Sequence, residues 1–209
     1  MLLPRFYPIL DTGLLRRRGL SPVETAGQIL DAGARILQLR HKEFFTAQAL
    51  DEAGEIAGLC RAAGAAFILN DRADIAALLS AGLHLGQEDL PPSAARRVLK
   101  NGMIGFSTHN AGQLRAAAAE PADYLAIGPV FATVSKENPD PVLGLEELRR
   151  LRALTDRPLV AIGGITRANA AEVIQAGADS VAVISDLYPE DSNIRTRAAE
   201  WLAIVSTTR

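Results

Sequence analysis

The chain has 209 residues, 48% hydrophobic and 22% charged, with a formal net charge of −2; it can bury one sizeable core, which excludes an intrinsically disordered chain. Aromatics are 5% and the longest basic run is Arg16-Arg17-Arg18, so stacking platforms and a cationic footprint for nucleic acid are both lacking and the triplet reads as a solvated loop. No apolar run is long enough to span a bilayer, and charge and proline interrupt the N-terminal stretch where a signal peptide would stand, so a cytoplasmic protein without membrane partners is expected.

Short apolar runs alternate with helical patterns from end to end. The first candidate strand is Tyr7–Leu10, followed by Asp11 and a loop through Arg18. Ser21-Pro22-Val23-Glu24 then opens a helix, with Ser at the cap, Pro at the first helical position and Glu three residues after the cap. That helix closes at Ala32-Gly33-Ala34, where glycine takes the left-handed conformation without a Cβ penalty. The second strand is Ile36–Leu39. An alanine-rich helix follows, carrying Cys60, the single cysteine, which excludes an intramolecular disulfide and reads as a buried, inert thiol. It closes at Ala63-Gly64-Ala65, before a third strand at Ala66–Leu69. Further strands are Leu83–Leu85, Met103–Phe106, Tyr124–Ile127, Leu159–Ile162 and, after another closure at Ala176-Gly177-Ala178, Ser180–Ile184. Most runs are apolar throughout rather than alternating, as expected of parallel strands covered on both faces. Eight βα units without a linker specify an α/β fold, a single (β/α)8 TIM barrel over residues 1–209, in preference to an open doubly wound sheet. The polar, proline-bearing stretch Thr133–Leu143 is the longest irregular segment and reads as a mobile loop.

In such a barrel the chemistry lies just beyond the strands. After the second strand, alternation puts Gln38, Arg40 and Lys42 on one side, an amide and two cations suited to a polyanion. Asn70-Asp71-Arg72 follows the third strand and Gly86-Gln87-Glu88-Asp89 the fourth. Asp71 and Asp89 therefore reach one rim from neighbouring strands, where two carboxylates beside a polyanion suit Mg2+. Each aspartate by itself is equally well read as a helix cap. Ser107-Thr108-His109-Asn110 follows the fifth strand, as phosphate ligands or as a cap, with His109 in a capping or supporting role. Lys136 lies in the irregular segment, where a cation can close over a bound anion. Gly163-Gly164 and Ser185 follow the last two strands, where barrels often hold a phosphate on backbone N–H groups.

Taken together these strings resemble the thiamine phosphate synthase family: Gln-Leu-Arg-His-Lys at 38–42, Asn-Asp-Arg at 70–72, His-Leu-Gly-Gln-Glu-Asp at 84–89, Ser-Thr-His-Asn at 107–110, Gly-Pro-Val-Phe at 128–131 with Lys136, Ala-Ile-Gly-Gly-Ile at 161–165 and Ile-Ser at 184–185. The resemblance runs from about Tyr7 to Ser185. It implies a Mg2+-assisted transferase that joins 4-amino-2-methyl-5-(diphosphooxymethyl)pyrimidine to 4-methyl-5-(2-phosphooxyethyl)thiazole by a dissociative substitution, releasing diphosphate. It implies that Gln38, Leu39, Arg40, His41, Lys42, Asn70, Ser107 and Lys136 meet the pyrimidine diphosphate. Thr133, Val134, Ser135, Gly164, Ile184 and Ser185 would meet the thiazole phosphate, and Asp71 and Asp89 the metal. Arg40, Lys42, Ser107 and Lys136 would carry the catalysis. The chain departs from the family at Val134, where many members are polar, and at His41, where they are more often acidic. A thiazole tautomerase of the same fold is the nearest alternative; in those proteins the two acidic strings degrade and a histidine replaces Pro129. A non-catalytic phosphate-ligand sensor is the alternative from another class, and it has no use for Asp71, Asp89 and Lys136. The partners are small molecules, and the sequence leaves a homo-oligomer open.

Overall fold

The computed structural model describes residues 3–133, 140–188 and 193–208. Each apolar run forms a strand: β1 (Phe6–Asp11), β2 (Ile36–Arg40), β3 (Ala66–Asn70), β4 (Gly82–Leu85), β5 (Ile104–Thr108), β6 (Tyr124–Ile127), β7 (Leu159–Ala161) and β8 (Ser180–Val183). They pair in parallel, in chain order, and β1 also pairs with β8 through Phe6↔Val181, so the sheet closes into a barrel. Closure leaves no unpaired edge. The surrounding helices are α1 (Thr12–Arg17), α2 (Pro22–Asp31), α3 (Ala47–Ala62), α4 (Ala73–Leu78), α5 (Pro92–Val98), α6 (Ala111–Ala117), α7 (Gly144–Arg152), α8 (Ala170–Gln175) and α9 (Ile194–Thr207), with a short 3-10 turn at Ser185–Leu187. The architecture is the expected (β/α)8 TIM barrel. None of the helices among the described residues is long and apolar enough to cross a membrane.

The helix ends follow local rules. Ser21 Oγ accepts from Glu24 N at 3.3 Å, with Pro22 in the first turn of α2. Three helices close alike: Gly33 has φ +110, Gly64 +64 and Gly177 +107. In each, the residue after the glycine donates back five positions, as in Ala34 N to Ile29 O and Ala65 N to Cys60 O. The segment from Asp11 to Arg18 departs from the expectation of a loop. It is helix α1, capped by Asp11, whose Oδ1 accepts from Leu14 N at 2.8 Å. Arg16 and Arg17 lie in its last turn, exposed, where cations offset the partial negative charge of the helix end.

Alternation along each strand divides the core in two. Leu10, Leu37, Leu39, Leu69, Leu83, Leu85, Leu125 and Ile127 face the helices, in one cluster with Trp201, whose ring stacks on Phe6. Tyr7, Ile9, Ile36, Ile68, Tyr124, Ala126, Val160 and Ala182 fill the barrel itself. Gly105, an inward position of β5, leaves the space that the Tyr124 ring occupies; a Cβ there would overlap the ring. Gly105→Ala is expected to destabilise the fold by about 1–3 kcal/mol through overpacking. Thermal unfolding should show Tm lower by several degrees; an unchanged Tm would mean that the ring can move aside freely.

Candidate active site

Parallel strands bring all their carboxyl ends to one rim, and the polar residues after them meet there. Gln38 is buried inside the barrel, and its Nε2 donates to Tyr7 Oη at 3.0 Å. Arg40, two residues on, pairs with Asp11 at the end of β1. Lys42 pairs with Asp71 beyond β3. Both cations of the anion-binding string are thus matched by carboxylates. Leu39 and His41 take the opposite alternation. Leu39 lies in the helix-facing core. His41 is buried, with Nδ1 2.8 Å from Thr12 Oγ1, Nε2 3.2 Å from Phe44 O and its ring edge-on to Phe45.

Asn70 ends β3 and is buried. Asp71 follows with φ +65, a left-handed conformation uncommon outside glycine but tolerated by Asp and Asn. Neither Asp71 nor Asp89 is a helix cap: Arg72 takes that position before α4 and Pro91 before α5. Asp89 Oδ2 instead accepts from Gly86 N at 2.7 Å, closing its own loop. The two carboxyls lie within hydrogen-bonding reach of each other. Burial first, and then Asp89, raise the Asp71 pKa above the ordinary carboxylate value, with Lys42 opposing. No group of three or more His, Cys, Asp or Glu suited to a metal occurs among the described residues. The pair nevertheless suits Mg2+, which commonly takes one or two carboxylates and completes its shell with phosphate oxygens and water.

Ser107 is an inward residue of β5, with Oγ 2.9 Å from His84 Nε2, and its carbonyl accepts from Gln87 Nε2 at 2.6 Å. Thr108 is buried and donates to Ala126 O at 2.9 Å. His109 has no capping role: Asn110 caps α6, accepting from Gln113 N at 3.0 Å. His109 Nδ1 donates to Gly128 O at 2.7 Å and so ties the loop after β5 to the loop after β6.

The glycines after β7 do more than leave room for a ligand. Gly163 and Gly164 have φ +98 and +62, and a Cβ on Gly163 would lie 2.5 Å from Pro129 Cβ. On Gly164 it would overlap Ala132 O and Phe131. The loop after β6 therefore packs directly on them, with Val130 N donating to Ile162 O at 2.9 Å and Phe131 N to Gly163 O at 3.0 Å. Ile184 packs against the barrel interior and exposed Ser185 opens the 3-10 turn. Asp186 within that turn accepts from Trp201 Nε1 at 2.9 Å and pairs with Arg167. Thr133 is half-buried. Val134, Ser135 and Lys136, and with them residues 134–139 of the expected closing loop, lie outside the described residues.

Sequence reasoning gave no role to Tyr7, His84 and Tyr124. The Tyr7 and Tyr124 hydroxyls are 2.6 Å apart, and Tyr124 Oη is 3.0 Å from His84 Nδ1. Burial pushes the His84 pKa down to about 4, against the pull of Asp89, and raises both tyrosines. The signal was available: with Leu83 and Leu85 facing the helices, His84 must face the barrel.

A family model described as thiamine monophosphate synthase matches residues 6–187. The thiamine-phosphate synthase of Koribacter versatilis is 46% identical over 207 residues, covering 97% of this chain and 96% of that protein. That of Chloroflexus aurantiacus is 41% identical over 206 residues, covering 98% and 94%. The solved thiamine phosphate pyrophosphorylase of Pyrococcus furiosus is similar at a TM-score of 0.86 and 34% identity, over 98% of this chain and 96% of that one.

Proposed function

The chain belongs to the thiamine monophosphate synthase family, and we propose that its barrel mouth joins a pyrimidine methyl diphosphate to a thiazole phosphate. It is a transferase of thiamine biosynthesis, like the relatives that carry the thiamine-phosphate synthase name. The observation that carries the detailed reading is the pairing of Lys42, two residues beyond Arg40, with Asp71, itself acted on by Asp89; Arg40 ends β2 and pairs with Asp11 at the end of β1.

The diphosphate is held there, and Arg40 and Lys42 exchange their carboxylate partners for its oxygens. Arg40 offers a planar fork and Lys42 a point charge, so negative charge gathering on the departing diphosphate is met as it forms. Asp71 and Asp89 hold Mg2+, which when bound supplies Lewis acidity to the phosphate oxygens. Gln38, Asn70 and Ser107 orient the pyrimidine so that its methylene carbon faces the thiazole nitrogen. Backbone at 38–42 is where Leu39 and His41 contribute, since their side chains are engaged on the far side. Thiazole phosphate is held by Gly164, Ile184 and Ser185 with Thr133, Val134 and Ser135, across the mouth from the diphosphate. Lys136 adds a cation to the diphosphate. Cys60 takes no part: it is buried in the helix layer and its thiol is pushed up to about 12. A tautomerase or a ligand sensor leaves the Asp71–Asp89 pair without a task.

Incubation of the purified protein with both substrates and MgCl2 should yield thiamine phosphate and diphosphate in equal amounts, and neither when one substrate is omitted or a chelator is added. Folded protein that yields neither product under these conditions would sink the proposal.

A further inference from the structure

A chain of hydrogen-bonding groups crosses the barrel beneath the mouth, and the reaction as described uses only its two ends. Gln38 Nε2 is 3.0 Å from Tyr7 Oη, which is 2.6 Å from Tyr124 Oη. Tyr124 Oη is 3.0 Å from His84 Nδ1, and His84 Nε2 is 2.9 Å from Ser107 Oγ. Five strands, β2, β1, β6, β4 and β5, supply one member each. The His84 ring also stacks on Tyr124, 5.6 Å between centroids, and Tyr124 has its place only because position 105 is glycine.

The chemistry of the groups gives this chain a direction. An amide nitrogen only donates, so the Tyr7 oxygen accepts from Gln38. The Tyr7 hydrogen then goes to the Tyr124 oxygen, and the Tyr124 hydrogen to His84 Nδ1. A neutral imidazole has one donor and one acceptor. With Nδ1 accepting, Nε2 carries the hydrogen and gives it to Ser107 Oγ. The hydroxyl hydrogen of Ser107 is left over and is free to point into the mouth. Burial, which holds His84 neutral, agrees with this order.

We infer that Tyr7, Tyr124 and His84 are positioning residues that fix His84 as its Nε2–H tautomer and thereby commit Ser107 to donate its hydrogen to an acceptor atom of the pyrimidine diphosphate. Gln38 correspondingly keeps its carbonyl oxygen to accept from the same substrate. The substrate half of this inference rests on the synthase reading; the tautomer half does not.

The test separates the two. The chain has three histidines, and in protein labelled with 15N-histidine the His84 signals are those lost in His84→Gln. Long-range 1H–15N correlation at neutral pH should show the proton on Nε2 and none on Nδ1. Tyr7→Phe leaves Tyr124 with Nδ1 as its acceptor, so the tautomer should persist. Tyr124→Phe removes the donor to Nδ1, so the tautomer should become mixed and KM for the pyrimidine diphosphate should rise about fivefold, the loss of one ordinary hydrogen bond. KM for the thiazole phosphate should move less. A proton on Nδ1 in the unmodified protein, or its appearance there in Tyr7→Phe, overturns the inference. So does a Tyr124→Phe protein that melts earlier but keeps both the tautomer and KM, which is what a packing role alone would give. Should Tyr124→Phe fail to fold, the unmodified protein and Tyr7→Phe decide the tautomer. The expected tautomer in a protein that forms no thiamine phosphate would sink the synthase reading and leave the chain of bonds standing.

Discussion

Asp71→Asn and Asp89→Asn each lower turnover by about two to three powers of ten, the several kcal/mol that a bound metal gives to a developing phosphate charge, and each raises the melting temperature of the metal-free protein. The first effect follows from the two carboxyls lying within hydrogen-bonding reach at the rim. The second follows from the same geometry. Burial, then Asp89, raise the pKa of Asp71 in the folded state. A carboxyl raised above its unfolded value binds protons more tightly when folded, so stability falls as pH rises from the unfolded value through the folded one. Asparagine removes that penalty and tolerates the left-handed backbone at position 71. Lys42, half exposed, returns to water readily when its partner is neutralised. The difference in Tm between variant and unmodified protein should therefore widen as pH rises through this window and hold steady above it. Metal binding requires the carboxylates unprotonated, so Mg2+ affinity should weaken as pH falls into the same window. Calorimetric unfolding and Mg2+ titration with diphosphate present would measure both. An Asn variant that keeps its turnover removes the metal assignment; one that melts lower without metal removes the account of the pair.

Arg40→Ala weakens binding of the pyrimidine diphosphate by about ten- to a hundredfold, the value of a charge-assisted hydrogen bond, and changes thiazole phosphate binding little. Arg40 ends β2 and pairs with Asp11 at the end of β1, whereas Gly164 and Ser185 lie beyond β7 and β8. Truncation also leaves the buried carboxylate of Asp11 without its cation, still holding α1 by accepting from Leu14 N. An unpaired negative charge beside the site then repels a diphosphate as well, which places this loss toward the upper end. Arg40→Lys should recover part of the affinity, because charge returns without the planar fork. Titration calorimetry with each ligand separately is the measurement. Equal losses for both ligands would contradict the proposed layout of the mouth.

Much of the fold was written in short stretches of sequence. The caps at Ser21 and the closures at Gly33, Gly64 and Gly177 involve residues within six positions of one another, so local chemistry decides them. The eight apolar runs became the eight strands, and order along the chain placed Arg40, Lys42, Asp71, Asp89 and Ser107 at strand ends. Helix α1 was missed because its short apolar stretch, Leu14-Leu15, is followed by three arginines and its start depends on Asp11, an apparent strand residue. The glycines at 163 and 164 were legible as glycines, but what fills the space above them is the loop after β6. The nearness of Asp71 to Asp89 and the closing pair of β1 with β8 belong to the same class. Tyr7 and Tyr124 are 117 residues apart and share a 2.6 Å hydrogen bond. No periodicity carries that information: alternation says that each tyrosine points inward, and only closure of the barrel puts their hydroxyls at the same height within it.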